Sequence, residues 1–399
     1  MEAAPITRDE VPRFLEATFG AFHGELRADE RDLIGAAIEP ERSLAVRDEG
    51  EFVATAGIYS RRLTVPGGEV PAAGVTMVGV RASHRRRGLL TSLMLRQLAE
   101  VHEAGVEPVA ALWASEGAIY GRFGYGMATL AAQLDVVVRE ARLRDPPEAR
   151  ARLGSPEAMR GAMTEIYEAA RSRTPGMFDR SSVWWDRRIA DFEHDRDGAG
   201  PLQAAVVDGA AYAMYAVKMR FEPTGPAGSV TVRELVASTP EGGAAIWRYL
   251  LELDLTRRLV YELAAPDDPL VHLVTEPQSV VTRVGEALWV RVVDVPAALL
   301  ARSYAMPFEV VLEVRDDVCP WNAGRWALAY DGTAVSCERT TAPAGLELSA
   351  ADLGAAYLGG TTLEVLARAR RVRELHGGAL ATASHAFRGD RAPWCPDVF

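Results

Sequence analysis

The stretch of this chain best suited to chemistry is a basic loop with a single glycine, Arg85-Arg86-Arg87-Gly88-Leu89-Leu90. It follows a β-branched run ending at Val80. After it, the apolar residues Leu90, Leu93, Met94, Leu98 and Val101 recur at the period of a helix with one face on a sheet. The first turn of a helix has N–H groups without intrahelical partners and the positive end of the peptide dipoles. A helix entered at Gly88 therefore offers an anion such as a pyrophosphate oriented donors beside guanidinium charge, and the glycine lets backbone approach phosphate closely. Strand, loop and helix also occur with arginines that are merely solvated, so the spacing alone leaves both readings open.

The elements that must hold this loop can be read in order. Thr7 and Glu10 are spaced as a capping box before a helix whose residues Val11, Phe14, Leu15 and Phe19 share a face. Residues 43–46, 51–61 and 62–65 alternate as strands, Pro66-Gly67-Gly68-Glu69 is a hairpin turn, and residues 75–80 form the central strand. Residues 109–113 are a buried strand, followed by a brief helix over 118–123 and a strand from Tyr125. This predicts an α/β domain over residues 1–140. A charged, proline-containing stretch at 139–157 marks a boundary.

Residues 150–286 repeat the order, with a helix at 158–170, strands at 202–207, 211–218 and 229–236, and a helix at 244–255. Where the basic loop should recur stands Val236-Ala-Ser-Thr-Pro-Glu-Gly-Gly-Ala, with Glu241 in place of the arginines. An acidic loop repels a pyrophosphate, so this copy is expected to lack a cofactor site. Residues 287–399 read as α+β: a strand at 288–295, a helix begun by Pro296, strands at 308–314, 325–330 and 334–338, and helices at 349–358 and 363–374. The tail carries Trp394, Val398 and Phe399, and that apolarity predicts that it docks.

Composition narrows the function classes. The 399 residues, 48% of them apolar, are enough for two or three domains. No apolar run approaches the ~20 residues of a membrane span, and Met-Glu-Ala-Ala-Pro-Ile-Thr is unlike a signal peptide, so a cytoplasmic location without membrane contact is expected. A formal net charge of -11 disfavours nucleic acid and suits a cationic substrate. Cys319, Cys337 and Cys395 lack metal-ligand spacing, and the seven histidines are scattered, so no metal and no disulfide is expected.

Arg85-x-x-Gly88 after a Val-Gly-Val strand resembles the acetyl-CoA motif of the GCN5-related N-acetyltransferases, with Leu90 where a small residue is usual. Acetyl transfer from a thioester needs an acid near the departing sulfur, because a thiol of pKa about 8.5 leaves more readily when protonated. Tyr120, a phenol at the turn after the second strand, is suited to that role. Tyr120-Gly-Arg-Phe-Gly-Tyr125 is similar to the family's Tyr-x-x-x-Gly-Phe pattern, with Tyr125 on its structural aromatic. Main-chain groups of a splayed strand at Val78 and Val80 would hold the pantetheine arm.

Ser83-His84-Arg-Arg-Arg-Gly-Leu-Leu90 and Ala114-Ser-Glu-Gly-Ala-Ile-Tyr-Gly-Arg-Phe-Gly-Tyr-Gly126 resemble the Eis (enhanced intracellular survival) branch, and the likeness extends to Val295-Pro-Ala-Ala-Leu299 and Tyr357-Leu-Gly-Gly360. It implies tandem GCN5-related acetyltransferase-like domains followed by a sterol-carrier-protein-like α+β domain, in a homo-oligomer that is a hexamer. It also implies acetyl-CoA as donor and primary amines of aminoglycoside-like molecules, polyamines or lysines as acceptors. Carried over by residue, cofactor contacts fall on Val80, Arg81, Arg87, Gly88, Leu89, Leu90, Thr91, Ser92, Ser115 and Glu116, and the general base on the main-chain carboxylate of Phe399. An α-carboxyl has a pKa of about 3.5 and is ionised at neutral pH. The residue before the final Phe, acidic in the family's best-known member, is Val398 here, with Asp397 displaced by one; Glu25 and Asp29 are then the candidates to receive ammonium groups. The competing expectation is a lipid or hydrophobic-ligand binding protein acting through the third domain, with an inactive acetyltransferase domain.

Overall fold

The computed structural model describes residues 2–399. Its first sheet has seven strands in the order Ala3–Pro5, Leu44–Asp48, Glu51–Val65, Gly68–Val80, Val109–Trp113, Leu288–Val292 and Gly126–Met127. The pieces expected at 51–61 and 62–65 are one strand, and Gly67, at φ 82°, makes the turn into Gly68–Val80. The helix Leu89–Ala104 is the crossover between Gly68–Val80 and its parallel neighbour Val109–Trp113, with Leu93 and Met94 fully buried against the sheet. Gly105, in the left-handed conformation, ends it.

The second sheet runs in the order Val280–Glu286, Leu130–Val137, Thr256–Ala264, Gly228–Ala237, Ala211–Lys218, Gln203–Val207 and Arg152–Gly154. Two strands lie across the expected boundaries. Leu130–Val137, placed with residues 1–140 by sequence, pairs in the second sheet, whereas Leu288–Val292, placed with residues 287–399, completes the first by pairing with Val109–Trp113 and Gly126–Met127. The crossing is pinned at Thr129, whose Oγ1 accepts from the Leu288 amide at 2.9 Å while its own amide donates to the Leu288 carbonyl at 3.1 Å. Alternation identifies both segments as strands; which sheet each joins depends on pairing between residues far apart in the chain, such as Leu288 with Trp113 and Arg258 with Val137, which no local pattern carries.

The third unit is a five-stranded sheet ordered Val335–Arg339, Gly324–Tyr330, Phe308–Arg315, Leu346–Ser349 and Arg373–Glu374. The helix expected at 363–374 stops at Arg368, because Arg370 takes a φ of 62° and turns the chain back into an edge strand. A further helix, Ala379–Ala386, begins after Gly378. This unit sits directly on the first sheet: Val290, Leu353 and Tyr357 belong to one buried cluster, and a Cβ on Gly126 or Gly354 would run into the backbone of Ala351 or Val290. Gly126→Ala should therefore destabilise the chain by about 1–3 kcal/mol, the usual cost of overpacking. Calorimetry reads this as a lowered unfolding midpoint; an unchanged midpoint would contradict backbone-to-backbone seating of the two units.

Candidate active site

The site begins where two parallel strands part. Gly68–Val80 pairs with Val109–Trp113 only at Ala72, Ala73 and Gly74, after which the sheet is open. On the other edge its pairing with Glu51–Val65 shifts register between Thr55 and Gly57, and Met77 takes a φ of 53°. A buried relay holds this bulge: the Thr18 hydroxyl bonds to Thr55 Oγ1 at 3.0 Å, and the Thr55 hydroxyl donates to the Met77 carbonyl at 2.8 Å.

The open edge leads to a cleft of about 670 Å³ lined by Val78 and Val80, by the basic loop with Gly88, Leu89, Leu90 and Thr91, and by Ser115, Glu116 and Tyr120. The first intrahelical bond runs from the Ser92 amide to the Gly88 carbonyl at 3.0 Å, so the amides of Leu89, Leu90 and Thr91 lie ahead of the ladder. Gly88, at φ 78°, has open space where a Cβ would be, and no side chain caps this helix end.

The arginines divide their work differently from the sequence expectation. Arg87 donates to the Ser83 carbonyl at 3.1 Å and Arg81 faces Glu51 at 3.4 Å; neither they nor Ser92 line the cleft. Arg85 and Arg86 line it instead. The Arg85 guanidinium donates to the Ala21 carbonyl at 3.2 Å, while Arg86, at φ 63°, has no side-chain hydrogen bond among the described residues. His84 is tied to Asp48 at 2.9 Å, the part of a loop residue. The corresponding helix end of the second sheet, at Pro240–Leu251, is closed: Thr239 accepts from the Gly242 amide at 3.1 Å, and a Cβ on Gly242 would meet Ala210.

A second cavity, of about 280 Å³, continues from the cleft past Phe22, Val78, Ser115 and Tyr120, and its far wall is Phe399. Tyr120 is buried, and burial is the main influence that raises its pKa; the Ser115 hydroxyl opposes this and the Glu116 carboxylate adds to it. The phenol is thus protonated at neutral pH. Tyr125, 6.2 Å away centroid to centroid, is fully buried and lines neither cavity. The Phe399 ring rests edge-on against Phe178 at 5.3 Å and against Tyr59 and Trp184 at 6.5 Å each, and Gly74 leaves room for it.

The tail reaches this place through the seam of the three units. Pro393 packs on Gly360 of the third unit, and the Trp394 amide and indole donate to Pro175 and Leu263 of the second at 2.8 and 2.9 Å. Asp397, buried, is then gripped by two guanidinium groups, Arg61 at 3.2 Å and Arg180 at 2.5 Å. Arg180 also pairs with fully buried Glu234 at 2.7 Å, to which Arg188 and the Tyr212 hydroxyl bond as well. Burial alone would raise the Asp397 carboxyl; Arg180 and Arg61 outweigh it and hold it at about 2. Val398 is exposed, and Glu25 and Asp29 line neither cavity. Of the wall residues, Phe19 reads from sequence only as part of a helix face, and Phe22 and Trp113 are not among the candidate site residues, since aromatics without a motif carry no local mark of a cavity.

Other reactive groups lie elsewhere. All three cysteines are buried thiols, each pushed up mainly by burial, Cys319 to about 11 and Cys337 and Cys395 to about 12. Glu30, His194 and Asp195 come together outside the cleft, with a hydrogen bond of 2.8 Å between His194 and Glu30.

Comparison with known proteins accords with this architecture. Residues 2–128 and 176–292 match acetyltransferase (GNAT) domain families, and residues 295–396 match the sterol carrier protein domain family. The chain is 44% identical to an uncharacterized N-acetyltransferase of Streptomyces avermitilis, covering 99% of this chain and 98% of that one. It is 35% identical to the N-acetyltransferase Eis of Mycobacterium tuberculosis, over 96% of each chain. Among solved structures, Eis1 from Mycobacterium abscessus superimposes with a TM-score of 0.87 at 33% identity over the whole of both chains.

The Asp397 grip predicts a specific pH dependence. Its folded pKa lies below the usual aspartate value of about 3.9, so its contribution to stability is present above pH ~4 and is lost as pH falls toward ~2. Asp397→Asn should destabilise the chain by about 3–5 kcal/mol at neutral pH, as expected when one partner of a buried pair is removed. The difference from wild type, measured by urea unfolding, should shrink below pH ~4. A difference that is small, or constant with pH, would contradict the network.

Proposed function

Because the chain belongs to the Eis family of GCN5-related N-acetyltransferases, we propose that it transfers the acetyl group of acetyl-CoA to a primary amine, with Tyr120 as general acid and the main-chain carboxylate of Phe399 as general base. The observation that carries this reading is that Tyr120 and Phe399 face one cavity, which opens past Val78 and Ser115 onto the uncapped helix end. That helix end fits a pyrophosphate: free amides at Leu89, Leu90 and Thr91, an unobstructed Gly88, and Arg85 and Arg86 beside them. Val78 and Val80 lie beyond the residues that pair with Val109–Trp113, so that edge of their strand is open to an extended amide arm, although Val80 pairs with Ala54 on the other edge and its carbonyl accepts from Arg85 at 3.3 Å.

Bound acetyl-CoA supplies an acetyl group activated as a thioester. The Phe399 carboxylate accepts a proton from the incoming ammonium and frees the nitrogen lone pair that forms the C–N bond. As the C–S bond breaks, the Tyr120 phenol gives its proton to sulfur, and the phenolate takes the second proton from the nitrogen of the new amide, so that the net gain of a proton is on the Phe399 carboxylate. Apolar walls favour the neutral amine and the neutral carboxylic acid over the ion pair, which brings their proton affinities closer together. The acceptor is a primary amine, the group shared by aminoglycosides, polyamines and lysine. A homo-oligomer, hexameric by family, accords with the edge strand Val280–Glu286, where Val281 and Val284 are exposed. No helix among the described residues is long and apolar enough to cross a membrane, which accords with a cytoplasmic enzyme.

Removing Phe399, or changing Tyr120 to Phe, should lower kcat by about 10²–10⁴-fold, the range for a lost acid or base, while the KM for acetyl-CoA changes little. Wild-type kcat in both variants would exclude this mechanism. Acetyl-CoA at about 100 times its Kd should stabilise the protein by about 2.7 kcal/mol in a thermal-shift titration. Absence of any shift would favour a ligand-binding protein with an inactive acetyltransferase domain.

A further inference from the structure

We infer that Glu30, His194 and Asp195 form a binding site for a divalent transition-metal ion of the zinc class, which joins the first unit to the second outside the cleft. The expectation of no metal rests on spacing within the sequence, and spacing does not show this site because Glu30 and His194 are 164 positions apart. Folding brings one imidazole nitrogen and one oxygen of each carboxylate within 4.8 Å of one another. None of the three residues lines the cavity between Tyr120 and Phe399 or the cofactor cleft, so the ion is structural rather than catalytic.

Two acids converge on one ring nitrogen. His194 Nε2 lies 2.8 Å from Glu30 Oε1 and 3.7 Å from Asp195 Oδ1. A ring N–H directs its hydrogen at one acceptor, so the Glu30 contact uses it, and the Asp195 carboxylate accepts no hydrogen bond among the described residues. Cations beside Asp195 in this segment are engaged elsewhere: Arg196 holds Asp191 and Lys218 holds Asp197, each at 2.9 Å. When the imidazole is neutral the three groups carry two negative charges. A dication in place of the shared proton takes all three at once and balances both carboxylates.

The spacing suits such an ion. Nitrogen and oxygen ligands about 2.0–2.1 Å from a tetrahedral zinc stand about 3.3 Å apart. The observed 2.8 and 3.7 Å lie on either side of that value, and the Asp195 side chain, 66% exposed, is free to swing the remaining distance. Imidazole together with carboxylate favours zinc-class ions over magnesium, which prefers oxygen alone. Two of the ligands are already oriented. The other oxygen of Glu30 accepts from the Arg27 amide at 3.3 Å at the start of the helix Ala28–Gly35, and the His194 ring stacks on Phe192 with the ring planes 17° apart. Both ligands are only partly buried, which leaves an open side for water as a fourth ligand. That helix follows Phe22 and His23, which line the acceptor cavity and the cleft, so the ion ties the entrance segment to the second unit.

The test uses the full chain without an affinity tag, stripped with EDTA and dialysed. Zinc chloride should bind at one ion per chain in calorimetry with a Kd of about 10 μM or tighter, and should raise the unfolding midpoint by about 3 °C. Magnesium chloride at the same concentration should do neither. Cobalt chloride should develop visible absorption bands, a readout that reports the ligands directly whatever a variant does to stability. Zinc binding and the cobalt bands should be lost in His194→Ala, and zinc affinity should fall at least about tenfold in Glu30→Gln. No zinc binding at about 100 μM, or binding and bands unchanged in His194→Ala, would overturn the inference. Acetyl transfer by the stripped protein should stay within about twofold of the zinc-loaded rate; its abolition would overturn the assignment of a structural ion.

Discussion

The carboxylate of Asp397 lies between Arg61 of the first unit and Arg180 of the second, and the site described above depends on that contact. A chain end left to itself is disordered, because each residue fixed costs about 1–2 kcal/mol of backbone entropy. Here the loss is offset by the buried indole of Trp394, its hydrogen bonds to Pro175 and Leu263, and two charge-assisted contacts at Asp397. Buried charges are costly unless they are fully paired. The network meets that demand with Glu234 and Arg188 as well, so Phe399 is delivered by a set of ions that tolerate little displacement.

The two ends of the proposed reaction have different physical origins. The donor side is local: one glycine, one open helix end and the arginines of a single loop. The acceptor side is assembled from all three units, and the crossing of Leu130–Val137 and Leu288–Val292 between sheets locks the first two together so that the seam receiving the tail has a defined shape. The second unit, whose helix end is closed by Thr239, contributes Arg180, Phe178 and Trp184 to that seam. Its part is to build the wall opposite Tyr120.

What could be read from sequence follows the same division. The helix starting at Leu89, its stop at Gly105, the strand Val109–Trp113 and the position of Tyr120 all come from patterns within about twenty residues, and the structure has them where the patterns imply. The strand exchange could not be read, because Leu288 meets Trp113 through pairing that periodicity does not encode. Asp397 was legible as an acid out of register but not as an anchor, since its partners are 336 and 217 positions away. Which arginines face the cleft was set by the left-handed turn at Arg86, a backbone choice that residue type alone does not announce. The tail's apolar residues did predict docking, and Trp394 and Phe399 are the residues that dock.

The claim at the centre of this account is that the chain's terminal carboxylate, held in place by Asp397, is the base. Semisynthesis of the protein with Phe399 as its C-terminal amide removes that one charge and keeps the ring, the anchor and the helix end. The amide should bind acetyl-CoA with unchanged affinity and lose at least about 10²-fold in kcat toward amines. Turnover at the rate of the native carboxylate would contradict the account.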